Sequence, residues 1–308
     1  MLIESKQKFS QSFNTKGYKE LQPISLIPPV DDKSVLFTTA TITAFKSELL
    51  KGSITEKKFL NQHCLRLHNT NKTLKSGFYP ELFSYFNMFG GVVPYKTESD
   101  LIFDIKSCFI NDFKLNPDNL VIYAASQDSC WIPQNINLPV IYDSAPSKFY
   151  KWTYGMPNIF GRGITFGYTK NLKQKDPTIL LPGEIGQVIQ LCDNNNKTLG
   201  YEFAFGIEVL LALINGKEDK ITYTSAYQTI KVHNLNMLDS NIRNIADMVS
   251  ILGGFYSTDI IADNKTPQGS ILRQNIRKLI FLKNRVNMSL EQVYSLVEYF
   301  YKMEFNKS

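Results

Sequence analysis

The chain has 308 residues, 43% hydrophobic and 20% charged, which allows one large domain or two modest ones around a substantial core. Its 34 basic and 28 acidic side chains leave a net charge of +6, compatible with a polyanionic partner but too small to identify one. The four cysteines and three histidines have no metal-ligand spacing, no apolar run reaches the length of a membrane span, and no Walker-type glycine loop or internal repeat occurs. Met1-Leu2-Ile3-Glu4-Ser5-Lys6 lacks the apolar core of a secretory leader, so a cytoplasmic protein with reduced thiols and no membrane partner is expected.

Residues Ile3 to Lys16 carry helix spacing, with Ile3, Phe9 and Phe13 on one face and Gly17 as the stop. Leu21 to Pro29 is Pro-rich, so extended and turn structure should follow. Val35 to Phe45 should enter the core. Phe59 to Val93 reads as two strands joined by a long polar loop. The first strand carries Arg66 among apolar neighbours, and the second is aromatic-rich through Tyr85, Phe86 and Phe89. An Arg beside aromatic faces suits an anion attached to a planar base, because its fork of donors fits phosphate oxygens. A hairpin whose Arg pairs with a surface carboxylate is the plainer alternative.

Glu98 to Leu115 predicts an amphipathic helix with Leu101, Ile105, Cys108 and Phe109 inward. Val121 to Ala125 predicts a short buried strand. Lys148 to Tyr168 is dense in aromatics and glycines, which fits a ligand wall or a plain core strand. Pro182 to Cys192 predicts another strand, and Asp193 to Lys197 a turn. Gly200 to Val209 leads into the apolar helix Leu210 to Ile214. Asp239 to Phe300 is predicted helical throughout. Arg273, Arg277 and Lys278 should share one helix face there, either meeting phosphates or lying in solvent. Ser289 should cap a last helix with Leu290, Val293, Leu296, Val297 and Phe300 inward.

Several of these segments, taken in order, resemble alanyl-tRNA synthetases. Cys64-Leu65-Arg66 and Tyr85-Phe86-Asn87-Met88-Phe89-Gly90 are similar to the family's Cys-(Val/Ile)-Arg and Phe-Phe-Glu-Met-Leu-Gly strands, which form an ATP-binding floor. Val35 to Lys46 looks like Leu-Phe-Thr-Asn-Ala-Gly-Met-Asn-Gln-Phe-Lys. Glu202, Gly206 and Glu208 fall on the pattern Val-Asp-Thr-Gly-Met-Gly-Leu-Glu-Arg. Arg243-Asn-Ile-Ala-Asp247 resembles Arg-Val-Ile-Ala-Asp-His, and the run from Gly269 to Lys278 resembles Gly-Tyr-Val-Leu-Arg-Arg-Ile-Ile-Arg-Arg.

The resemblance covers about Ile3 to Leu282. It implies an α+β fold of class II aminoacyl-tRNA synthetase type: an antiparallel sheet flanked by helices over 1–232, then a helical domain over 233–308. It implies ATP and Mg2+ as cofactors and activation of an amino acid as its adenylate. The acceptor would be tRNA, a carrier protein or a small amine, and a homodimer would suit the family. Arg66 would be the catalytic cation. Arg66, Met88, Tyr85, Gly206 and Glu208 would bind ATP, with Glu208 also holding magnesium through the phosphates. Glu202, Tyr150 and Gln187 would bind the amino acid, and Arg273, Arg277 and Lys278 the nucleic acid. Four departures point the other way. Val209 replaces the family's last Arg, Asn87 a Glu, and Gly163 a Glu, and the Gly-Gly-Lys-His-Asn-Asp loop after Arg66 is absent. They imply either a changed substrate or a degenerate paralogue that binds tRNA, a nucleotide or a protein.

Overall fold

The computed structural model describes residues 1–30, 32–52, 54–67, 69–75, 77–126, 132–143, 151–153, 155–169 and 183–305. They form two compact units that share the chain in turns. The first comprises Met1–Pro23, Ala40–Gln62 and Met88–Ile214, the second Ile24–Thr39, His63–Asn87 and Asn215–Ser308.

The elements begin with α1 (Leu2–Asn14), β1 (Lys19–Glu20), a 3-10 turn at Thr41–Phe45 and α2 (Lys46–Leu50). Next come β2 (Lys58–Leu65), β3 (Tyr85–Val93), α3 (Glu98–Ser107), β4 (Leu120–Ala125) and β5 (Val140–Asp143). Then β6 (Lys151–Thr153), β7 (Ile159–Tyr168), β8 (Glu184–Asp193), β9 (Thr198–Gly206) and α4 (Ile207–Ile214) complete the sheet region. The sheet order is β1-β2-β3-β9-β8-β7-β4-β5, with β6 beside β7. From β3 through β4 all pairs are antiparallel, while β1 on β2 and β5 on β4 are parallel. The fold is α+β.

Aromatic residues on one sheet face hold the first unit together. Phe9 of α1 stacks on Phe89 at 4.3 Å, and Phe13 stacks on Phe203 at 5.2 Å. Phe109 meets the edge of Phe205 at 5.1 Å. Each such ring removes a large apolar area from water and adds a ring–ring preference. Ile3 does not join them; at 49% exposure it faces solvent, because the turn that buries Phe9 and Phe13 carries Ile3 round to the other side. Gly17 follows the helix at φ +80°, the left-handed region that glycine enters without strain. On the other face, Ile42, Phe45 and Leu49 of the 3-10 turn and α2 pack over Val92, Ile189 and Leu191. The helix expected to run to Leu115 ends at Ser107 and widens into a π turn at Cys108–Asp112, with Cys108 and Phe109 still buried.

The second unit is built on α5 (Ser225–Val232), α6 (Ser240–Tyr256), α7 (Pro267–Arg285) and α8 (Leu290–Phe305). Helix from Asp239 to Phe300 is not continuous. It breaks at 257–266 and 286–289, because capping groups restart it. Thr266 accepts from the Gly269 amide at 3.0 Å with Pro267 in the first turn, and Ser289 accepts from the Gln292 amide at 3.2 Å. Leu290 is 60% exposed rather than inward, since the six residues to Leu296 carry it round the helix from the buried flank of Leu296 and Phe300. α6 and α8 pack closely at Gly253, where a Cβ would lie 2.2 Å from the Phe300 ring. Among the described residues no helix is long and apolar enough to cross a membrane.

Candidate functional site

Arg66 lies one residue past the end of β2, and its backbone is fixed. Its amide donates to the Ser84 carbonyl at 2.8 Å, and the Leu65 amide donates to Thr38. The side chain is exposed but directed: Nε donates to the Thr39 carbonyl at 2.8 Å, and the guanidinium carbon sits 5.0 Å over the Phe86 ring. A planar cation anchored to a carbonyl acceptor and laid over a ring is preorganised for an anion, since less freedom is lost on binding.

Tyr85 does not share this arrangement. Successive residues of a strand point to opposite faces, so Tyr85 turns away from Phe86. It is 3% exposed, its ring against the edge of Phe300 at 5.3 Å and its hydroxyl 2.6 Å from His63 Nδ1. It packs as a core residue of the helical unit. Phe86 was read as one of the strand's aromatics but not as a binding residue, although its parity with Met88 along β3 was readable.

In the first unit the register gathers another group. Met88 pairs with Gly206, Val92 with Glu202, Gln187 with Ala204 and with Thr165, and Ile189 with Glu202. Directly opposed residues share a face, so Met88, Gln187, Glu202 and Gly206 project from one side of the sheet. Glu202 is 3% exposed with two apolar cross-strand neighbours, a setting that a carboxylate occupies only with compensation. Gln187 is partly buried and its amide donates to Glu184. Glu208 is buried in the first turn of α4, where the helix dipole favours a carboxylate. Val209 lies within 3.7 Å of the place a Cβ on Gly206 would occupy, so an aliphatic side chain stands where the resembled family carries a cation. A Cβ on Gly163 would fall 2.2 Å from the Val188 carbonyl, so the glycine there follows from strand packing. Tyr150 lies outside the described residues. Thr165 is buried and was not anticipated; no signal in the sequence separated it from neighbouring strand residues.

On α7, Arg277 is exposed and Arg273 partly so. Lys278 departs from the shared face: one residue beyond Arg277, it turns inward and donates to the Thr70 carbonyl. Burial lowers its pKa, with the Asp247 charge opposing. The outward flank continues instead through Phe281, 47% exposed, to Arg285, whose guanidinium lies 5.6 Å from the Phe281 ring.

The loop leading to β3 is gripped by polar side chains of α6. Arg243, 1% exposed, binds both oxygens of Asp219 at 2.7 and 2.8 Å, donates to the Pro80 carbonyl and lies 4.0 Å over the Tyr79 ring. Asn244 donates to the Phe78 carbonyl at 3.0 Å. Asp247 accepts from the Ser84 amide at 2.6 Å and hydroxyl at 3.0 Å. Burial pushes the Asp247 carboxyl up to about 6 against these bonds and Lys278. At Asp219 burial also pushes upward, but the Arg243 bonds and charge, with the Ile221 amide, outweigh it and hold the carboxyl low.

Neither a protein-family model nor a curated protein matches the chain. Among solved structures, two of pyrrolysyl-tRNA synthetase from Desulfitobacterium hafniense are similar. Each is 11% identical at a TM-score of 0.39 over 72% of this chain, covering 71% and 72% of the respective synthetase chains.

Proposed function

We propose that the protein is an ATP-dependent ligase of the class II aminoacyl-tRNA synthetase kind, related to the alanyl enzymes, that activates an amino acid and hands it to an acceptor. The observation that carries this reading is Arg66, anchored by the Thr39 carbonyl and laid over Phe86. In the reaction, an oxygen of the amino-acid carboxylate forms a bond to the α-phosphorus of ATP as the bond to pyrophosphate breaks. Negative charge builds on the phosphoryl oxygens, and a fixed guanidinium lowers its cost. Glu202 is the carboxylate for the substrate ammonium, which must be paired once out of water.

ATP fits an exposed, directed cation backed by an aromatic ring. Among the described residues no three His, Cys, Asp or Glu side chains gather as a metal cage. Magnesium therefore fits as an ion carried on the phosphates and keeping its waters, with Glu208 as the carboxylate candidate. It would neutralise charge on the leaving pyrophosphate. The acceptor is a tRNA, a carrier protein or a small amine, and the amino acid need not be alanine, because Glu202 stands in place of an Asp. Among the described residues, Cys64, Cys108 and Cys192 stand outside any disulfide, which suits a reducing compartment such as the cytoplasm.

The test is amino-acid-dependent exchange of labelled pyrophosphate into ATP, screened over the common amino acids. Exchange with one of them, lowered at least about 100-fold by Arg66→Ala in a folded protein, is the expected result. No exchange with any amino acid, and no binding of ATP, overturns it. One observation favours a second reading, a paralogue that binds without activating. Val209 puts a methyl-bearing side chain at the start of α4 where the family stacks an Arg on adenine. That reading predicts nucleic-acid or nucleotide binding with no exchange.

A further inference from the structure

We propose that Asp247 is a positioning residue for Arg66, holding through Ser84 the strand end from which the guanidinium projects. The inference rests on Arg66 being the nucleotide-binding cation. The Arg66 amide donates to the Ser84 carbonyl, and both the amide and the hydroxyl of the same Ser84 donate to Asp247. One residue thus joins the β2 terminus to α6. The connection from Arg66 to Ser84 is long and polar, and such segments open locally unless tied down. Here four side chains tie it. Asp247 takes Ser84, Arg243 takes Pro80, Asn244 takes Phe78, and Lys278 of α7 takes Thr70.

Apolar packing does not account for Asp247. Its side chain is fully buried, and a buried carboxylate is costly where a Leu or Val would serve the core. Its two oxygens are matched instead to the two donors of one serine. The consequence is that nucleotide affinity depends on a helix residue that would touch no nucleotide.

The experiment measures amide hydrogen exchange at Ser84 and Arg66, and ATP affinity by titration, in the full-length protein. Asp247→Ala should speed exchange at both amides by about tenfold or more and weaken ATP by a similar factor. Asp247→Asn, whose carboxamide oxygen still accepts from the Ser84 amide, should restore both. Ile245→Ala, buried two residues earlier on the same helix and so turned to the opposite flank from Asp247, should lower stability without either local effect. Asp247→Val serves where the alanine variant does not fold. The proposal is overturned if Ile245→Ala and Asp247→Ala change these amides equally, or if a folded Asp247→Asn fails to restore protection. If the unaltered protein binds no ATP, the nucleotide reading falls, while the exchange measurements still decide whether Asp247 fixes the Arg66 strand end.

Discussion

A buried carboxylate on a central strand is costly unless its charge is compensated. Glu202 sits on β9 opposite Val92 and Ile189, at 3% exposure. Removing one charge of a desolvated pair costs a few kcal/mol, mostly through the partner left behind. Glu202→Gln keeps shape and hydrogen-bonding capacity but loses the charge. If Glu202 receives the substrate ammonium, the variant raises the KM for the amino acid about 100-fold while the ATP dissociation constant stays put. Pyrophosphate exchange at graded amino-acid concentrations, beside an ATP titration, separates the two. An equal loss of ATP affinity would remove Glu202 from that role. The same logic demotes Tyr85, whose hydroxyl meets His63 and whose ring meets Phe300.

At the scale of elements, α6 carries two carboxylate contacts whose pH effects have opposite signs. Asp247 is raised to about 6, above the ordinary carboxylate value of about 4, so the folded state binds the extra proton between them. Stability therefore falls as pH rises through that window. Asp219 is held low beside Arg243, so its contribution is present above the ordinary value and is lost as pH falls toward the folded one. Chemical denaturation from pH 4 to 7 should show Asp247→Asn gaining on the unaltered protein as pH rises through about 6. Asp219→Asn should lose most at neutral pH and least in acid. Matching slopes for the two variants would contradict the assignments. These contacts also mark where sequence reading stops. The strands around Arg66 and the helical spacing of α1 and α6 follow from local periodicity and were legible. Which side of β3 faces the guanidinium follows from parity and was readable in principle. That α6 grips the Phe78–Ser84 segment was not, because partners 163 residues apart leave no local pattern. The break between α6 and α7 was masked by helical spacing on both sides.

For the molecule as a whole, a net charge of +6 spread over 308 residues is too weak to hold a nucleic acid; binding needs a concentrated stripe. α7 offers one in Arg273, Arg277, Phe281 and Arg285, recurring every four residues along one flank. Arginines neutralise phosphates, and an exposed aromatic ring between them offers a base a stacking surface. Lys278 belongs to a different job, since its ammonium is spent on Thr70 inside the unit. If the proposed acceptor is an RNA gripped by this flank, one experiment separates its arginines from Lys278. Arg273→Glu with Arg277→Glu should leave the melting temperature nearly unchanged, weaken RNA binding, and flatten its dependence on log salt by roughly 1.4 to 1.8 units of slope. Lys278→Ala should do the reverse, lowering the melting temperature with little change in slope. RNA affinity and salt slope that survive the double reversal would leave the α7 flank a solvated helix face. The acceptor would then be sought among carriers and small amines, whose binding does not fall with salt in proportion to phosphates neutralised.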